Sequence, residues 1–257
     1  MPSKNRKLFI NGVKQVLKTA LISFFALILI LAGYYLYYET MTSANFQISN
    51  FRIKGNSFLE KSQVVQLARQ GVFGQNIFQA NIQHVSDMLR DNPWIEMAEV
   101  SRKMPDSLQV KIKERIPFAK IEMINGKIFL IDRKAFLLKE IESYEYQVLH
   151  TILLNDDIYY EIGRSLQSEE IKKSIKFIEK IFSVKNLDQV FNFTSVSVKE
   201  GDRYILKTPY ASVLISEQSL KENLEKLRMA SKIINQEELK VKSIDLTFDD
   251  QVVLKLL

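Results

Sequence analysis

The chain of 257 residues has no cysteine, two histidines, one tryptophan, eight glycines and five prolines. Without cysteine there is no disulfide scaffold, no thiolate metal site and no cysteine nucleophile. His84 and His150 alone are too few for a histidine-rich metal centre. Scarce glycine and proline exclude a collagen-like or linker-dominated chain. A content of 46% hydrophobic and 26% charged residues is that of a folded protein, and the length suits one to two folded units. Familiar catalytic signatures are missing as well: no Gly-x-Ser-x-Gly, no Gly-x-x-x-x-Gly-Lys, no His-Glu-x-x-His and no glycine-rich dinucleotide fingerprint. Asp156-Asp157 and Asp249-Asp250 read as turn acids, because no third ligand type clusters beside either pair. No enzyme activity, cofactor or small-molecule substrate is expected.

The net charge of +6 is unevenly placed. Lys4, Arg6, Lys7, Lys14 and Lys18 precede any acidic residue, and the first is Glu39. A nucleic-acid binder would carry its basic face on the folded part, so no nucleic-acid partner is expected. From Thr19 to Tyr38 there is no charge at all. Such a run, at about 1.5 Å per residue, spans roughly 30 Å, the thickness of bilayer hydrocarbon. It has no polar stripe, and Tyr34, Tyr35, Tyr37 and Tyr38 gather at one end, where amphipathic rings favour the lipid–water interface. The basic residues before the span place the N-terminus in the cytoplasm and the rest outside. A cleaved signal peptide is the alternative, with Thr42-Ser43-Ala44 as a site. The run is longer than such an apolar core and rich in tyrosine, which favours a retained anchor. A lone span without internal charge suits tethering rather than transport.

Beyond a polar spacer, Phe46 to Lys54 alternates as a strand and Gly55-Asn56 breaks it. Leu59 to Gln70 has helical spacing with Gly71 as its C-cap candidate. Asn81 can cap a second helix with Ile82, Val85 and Leu89 on one face, ended by Asn92-Pro93. Trp94 to Lys103 and Leu108 to Lys113 form a hairpin around Met104-Pro105-Asp106. Strand, helix, helix, strand, strand makes a small sheet covered on one face by two helices. His84 is expected solvated beside the second helix's apolar stripe, His150 similarly in a loop, and Trp94 as a packing anchor between helix and sheet.

Pro117 opens a second unit. Short strands surround the turns at Asn125-Gly126 and Asp132-Arg133. Ser168 can cap a helix with Ile171, Ile175, Ile178 and Phe182 inward. Val190 to Ile215 alternates like strands. Ser219-Leu220-Lys221-Glu222 fits a capping box for a helix with Leu220, Leu224, Leu227 and Ile234 inward. Val241 to Leu246 and Gln251 to Leu256 are the last strands, around Phe248-Asp249-Asp250.

The segments Phe51-Arg52-Ile53-Lys54-Gly55-Asn56, Asn76-Ile77-Phe78, Asn92-Pro93-Trp94-Ile95, Ala98-Glu99-Val100-Ser101-Arg102-Lys103-Met104-Pro105-Asp106-Ser107-Leu108 and Glu114-Arg115-Ile116-Pro117-Phe118-Ala119 resemble the POTRA and β domains of the bacterial cell-division family FtsQ, called DivIB in Gram-positives. Ile244-Asp245-Leu246-Thr247-Phe248 and Val252-Val253-Leu254 resemble its terminal strand pair. The resemblance implies an α+β chain: residues 1–18 a cytoplasmic basic segment, 19–38 a transmembrane helix, 39–45 a linker, 46–116 a POTRA domain (β-α-α-β-β) and 117–257 a mixed β-rich domain with two or more helices. Four positions depart from the family. Ala135 stands where a glycine is frequent after Asp132, Thr247 where an arginine is common, and Phe248 and Leu256 where some members have tyrosine and tryptophan.

The function so implied is that of a non-enzymatic divisome scaffold at the inner membrane of the division septum. It would bind FtsB and FtsL, with FtsW, FtsI and FtsK as further partners, and influence septal peptidoglycan synthesis. If the last strand has a free edge, an FtsB-like strand can add to it through Phe248, Asp250, Gln251, Val252, Leu254 and Leu256. Alternate side chains there must instead face the core. Arg52, Gly55, Asn56 and Ser57 are the expected contact patch of the POTRA unit. The chain closes on a strand with no disordered tail, which leans toward a Gram-negative host. The alternative is a membrane-anchored POTRA chaperone for exported or outer-membrane polypeptides.

Overall fold

Helix α1, Ser3–Thr42, runs for 40 residues. No proline interrupts it, and Gly12 and Gly33 are too few to end it. Gly12–Thr42 is long and apolar enough to cross a membrane, and its large apolar side chains, Phe24, Leu29 and Tyr35 among them, are exposed. The computed structural model describes residues 3–184 and 193–257. The strand expected from Val190 therefore begins outside the described residues. The chain separates into two compact units, one holding residues up to Leu89 with Ala98–Ile112, the other Arg90–Met97 with Lys113–Leu257.

After the anchor, a short 3-10 turn at Ala44–Phe46 leads into β1 (Asn50–Lys54), α2 (Lys61–Gln70), α3 (Ile82–Arg90), β2 (Ile95–Lys103) and β3 (Ser107–Glu114). The three strands lie in the order β1-β3-β2. β1 pairs in parallel with β3, Phe51 opposite Leu108 and Ile53 opposite Val110. Val64, Ala68, Val85 and Leu89 of the helices are buried, as are Leu108 and Val110 of β3. Asn81 caps α3 as expected, its Oδ1 accepting from His84 N at 3.1 Å. At α2 the cap is Glu60, whose N–H donates to Gln63 Oε1 at 3.2 Å. Gly71 does not adopt the left-handed cap conformation (φ −83°). A Cβ there would lie 3.1 Å from Met88 Sδ and 3.3 Å from Val85 Cγ2, so the glycine serves the approach of α3.

In the other unit, β4 (Ala119–Glu122), β5 (Ile128–Ile131), β6 (Leu137–Ile141), β7 (Thr151–Leu153), β8 (Ser195–Lys199), β9 (Arg203–Lys207), β10 (Ser212–Ser216), β11 (Val241–Asp245) and β12 (Val253–Leu256) form one sheet. Its order is β12-β11-β10-β9-β8-β7-β4-β5-β6. The two helices α4 (Glu169–Ser183) and α5 (Leu220–Gln236) supply the crossovers of two of its parallel pairs, α4 between β7 and β8 and α5 between β10 and β11; the third, β4 with β7, is connected through β5 and β6. Their apolar faces share one core cluster with the sheet, in which Ile175, Ile178, Leu224 and Leu227 meet Tyr204, Val213 and Ile244. Phe177 stacks flat on Tyr204 with centroids 3.7 Å apart, and the Tyr204 hydroxyl donates to Glu217 Oε2 at 3.0 Å.

Several local expectations change. Ser168 does cap α4, accepting from Ile171 N. Phe182, however, is 50% exposed, because Phe177 and Ile181 complete the inward stripe. Ser219 makes no side-chain cap, so the capping box is not formed. His150 is not solvated. Its ring stacks on Phe193 at 4.1 Å, and burial pulls its pKa below the usual histidine value. Trp94 is half-buried against Leu130, Leu138 and Ile141 of β5 and β6, so its sheet is the nine-stranded one.

At the start of that sheet, Asp132 organises a tight turn. Its Oδ1 accepts from Lys134 N at 2.8 Å and Phe136 N at 2.9 Å. Its Oδ2 receives the Arg115 guanidinium at 2.8 Å, which also lies 3.5 Å over the Phe136 ring. Ala135 closes the turn at φ +57°, the region that favours glycine.

Candidate partner-binding edge

The sequence places the edge strand last, and its position follows from α5. Having crossed back from β10, the chain enters β11 parallel to β10, with Val213 opposite Ile244. It then reverses, and β12 pairs antiparallel with β11, Ile244 opposite Leu254 and Asp245 opposite Val253, with a bulge between Val241 and Ser243. β12 is the outermost strand.

Two side chains shape the reversal. Asp245 Oδ1 accepts from Thr247 N at 2.9 Å and Thr247 Oγ1 at 2.7 Å, turning the chain out of β11. Lys226 of α5 donates to the Phe248 carbonyl at 2.9 Å and also to that of Asp249. Its neighbour Glu222 lies 3.3 Å away.

The register says which backbone groups are free to pair outward. Leu257 N donates to Lys240 O at 2.9 Å, so Leu257 faces β11. Alternation in an antiparallel ladder then turns Val253 and Lys255 toward β11 as well, and leaves the N–H and C=O of Leu254 and Leu256 on the outer margin. An outer margin of this kind is a template for an added strand.

The expected site residues fall into three groups. Phe248 (46% exposed) and Asp250 lie in the reversal, and exposed Gln251 precedes the strand. The strand starts at Val253 rather than Gln251, since Lys226 holds the chain in the turn up to Asp249. Val252 and Leu254 are half-buried and pack on the core. Leu256, in phase with them, stays 54% exposed. Lys226 escaped the sequence reading, and Asp245 entered it only as part of the terminal segment, for neither position has a signal of its turn-making role apart from the pairing it makes.

The POTRA-side residues are spread over β1 and the turn after it. Arg52 is exposed on β1. Gly55 sits at φ +85°, where a Cβ would come within 2.1 Å of Ile112 O. Asn56 Nδ2 donates to Leu59 O at 3.1 Å. Gly55 and Asn56 thus have local structural duties, and Ser57 is exposed beside them. Among the described residues no group of His, Asp and Glu is arranged to hold a metal ion.

Residues 46–115 match the profile of the POTRA domain, FtsQ-type. The cell division protein FtsQ of Rickettsia bellii is 31% identical over 123 residues, covering 48% of this chain and 45% of that protein. That of Rickettsia felis is 26% identical over 205 residues, 77% of this chain and 69% of that protein. The cell division protein DivIB of Clostridium tetani is 23% identical over 172 residues, 61% and 64% of the two chains. This chain thus spans less than half of the first of these relatives. An apolar N-terminal helix, a FtsQ-type POTRA domain and a β-rich region define the class, a POTRA protein with a single membrane-anchor helix. Within that class the chain is similar to the FtsQ/DivIB cell division proteins.

Proposed function

We propose that this chain serves cell division as a non-enzymatic scaffold, offering the open margin of β12 to a strand of a second division protein. The observation that carries the reading is that, among the described residues, β12 borders one strand, β11. By family resemblance the partner is FtsB, with FtsL bound alongside it and FtsW, FtsI and FtsK further along the assembly, so that occupancy of the edge bears on septal peptidoglycan synthesis. Main-chain hydrogen bonds would set the register. Leu256 and Phe248 would supply specificity together with Asp250, Gln251, Val252 and Leu254.

The basic residues at the start of α1, ahead of its uncharged run, support a cytoplasmic N-terminus and an extracytoplasmic body, with residues 46–116 and 117–257 as its two domains, placed at the septum. The exposed patch of Arg52 and Ser57, held in place by Gly55 and Asn56, is proposed as a second contact for a neighbouring division protein. Alanine at Arg52 and Ser57 should weaken assembly at midcell, and normal assembly would remove that patch.

The edge is tested by Leu254→Pro. Proline at an outward-facing position deletes an N–H that β11 does not use, so the hairpin persists while an added strand loses a bond. Pull-down of FtsB by the full-length variant should fail, while Leu254→Ala retains it. Unchanged capture would remove this site. Recovery of many unfolded exported polypeptides in place of one small membrane partner would support a chaperone instead.

A further inference from the structure

The end of the anchor helix is held by the POTRA unit. Asn76, 6% exposed, donates through Nδ2 to the carbonyl oxygens of Thr40 at 2.8 Å and Met41 at 3.1 Å. These are terminal carbonyls that a helix otherwise leaves unsatisfied. Gln79 Nε2 lies 3.6 Å from Met41 Sδ. The loop around Asn76 is fastened in turn to the chain leaving the anchor, Ile77 N donating to Phe46 O at 2.8 Å and Ile48 N to Gln75 O at 3.0 Å. The depth of this loop follows by arithmetic. Tyr38 lies three residues before Met41, about 4.5 Å along the axis. The polar layer outside the hydrocarbon is roughly 5–7 Å thick on each side. With the tyrosines at the interface, Asn76 falls inside the headgroup layer.

This loop carries aromatic side chains that the fold leaves uncovered: Phe73 is 68% and Phe78 41% exposed, with Phe78 in ring contact with Phe46 at 5.4 Å. Cations accompany them. Arg69 lies 4.6 Å over the Phe73 ring, and Arg102 donates to the carbonyls of Ile77 at 2.6 Å and Ala80 at 2.8 Å. Aromatic rings with guanidinium groups suit the ester and phosphate level of a bilayer. We propose that Phe73 and Phe78 seat the POTRA unit on the lipid surface, so that the domain is bound to the membrane at a second place besides α1. The occupant is the bilayer itself, because the anchor ends at this loop and fixes its depth.

The proposal rests on α1 as a membrane span, and the absence of cysteine makes a clean test possible. Single spin labels at Phe73→Cys, Phe78→Cys and Phe58→Cys would be compared in the full chain, incorporated in phosphatidylcholine–phosphatidylglycerol nanodiscs. Phe58 is the control, 65% exposed and beyond the far end of β1, roughly 16 Å along that strand. Labels at 73 and 78 should collide more with oxygen and less with a water-soluble nickel chelate than the label at 58. Equal access of the chelate to all three would overturn the proposal, as would shielding of 73 and 78 from both reagents, which marks a protein contact between copies. Failure of the chain to enter the discs would overturn the anchor reading itself.

Discussion

The ammonium of Lys226, on the second turn of α5, holds the carbonyl of Phe248 at 2.9 Å and so ties the terminal hairpin to a helix that the core has already fixed. Lys226→Met keeps the aliphatic stem and removes the charge-assisted bonds. The expected loss is about 1–2 kcal/mol of stability, concentrated in the hairpin. Hydrogen exchange should show faster amides from Thr247 to Leu256 with the rest unchanged, and weaker capture of a partner strand should accompany it.

Gly55→Ala forces a Cβ into Ile112 O, and φ +85° adds strain whatever the space. We expect a loss of more than about 2 kcal/mol, read as a lower melting temperature of the full chain in detergent. A fully stable variant would show that the close approach of this turn to β3 is not required.

Ala135 offers the opposite case. It is buried yet left-handed at φ +57°, the region that favours glycine. Ala135→Gly should relieve about 1 kcal/mol of strain and roughly offset the lost methyl. Ala119→Gly in β4, with ordinary strand geometry, should cost about 1 kcal/mol. Denaturant titration of the two variants should separate them.

Glu96 is held between Lys113 at 2.8 Å and Lys134 at 2.6 Å, and the hydrogen bonds from these two lysines lower its pKa from 4.5 to about 2. A depressed carboxyl pKa contributes stability that is present above pH 4.5 and lost as pH falls toward 2. Both lysines are largely solvated, so the pair contributes no more than about 1 kcal/mol. Glu96→Gln should lower stability at neutral pH and converge with the parent near the acid end of that window.

His150 works in the same direction at higher pH. Burial against Phe193 disfavours its protonated form. Below the ordinary value of 6.5 the unfolded chain takes up a proton that the folded chain resists, so stability falls as pH drops through that point. His150→Phe should flatten this part of the stability–pH curve and leave the region above pH 7 unaltered.

The features legible in the sequence are those written in one short stretch. The anchor is an uninterrupted apolar run, Asn81 and Ser168 cap the helices that follow them, and alternation marks the strands. Caps made by unusual residues were not legible: Glu60 opens α2, while Ser219, in a better-known pattern, makes no side-chain cap. Long-range partners were also hidden. Asn76 looks like a loop residue until Thr40 is found beside it, and Lys226 looks like one of many solvated lysines until the Phe248 carbonyl is placed. At the candidate edge, the strand and its last place in order were readable. Its starting residue and the identity of its outward backbone groups were not, because both depend on register against β11.

The parallel match of Phe51 with Leu108 has a consequence for biosynthesis. A first strand whose neighbour arrives more than fifty residues later waits unpaired while the ribosome continues. With α1 as a membrane span, the hydrophobic helix, made before either strand, would reach the lipid phase first. This small sheet would then close on a chain moored at one end, in a search confined to a thin shell next to the bilayer.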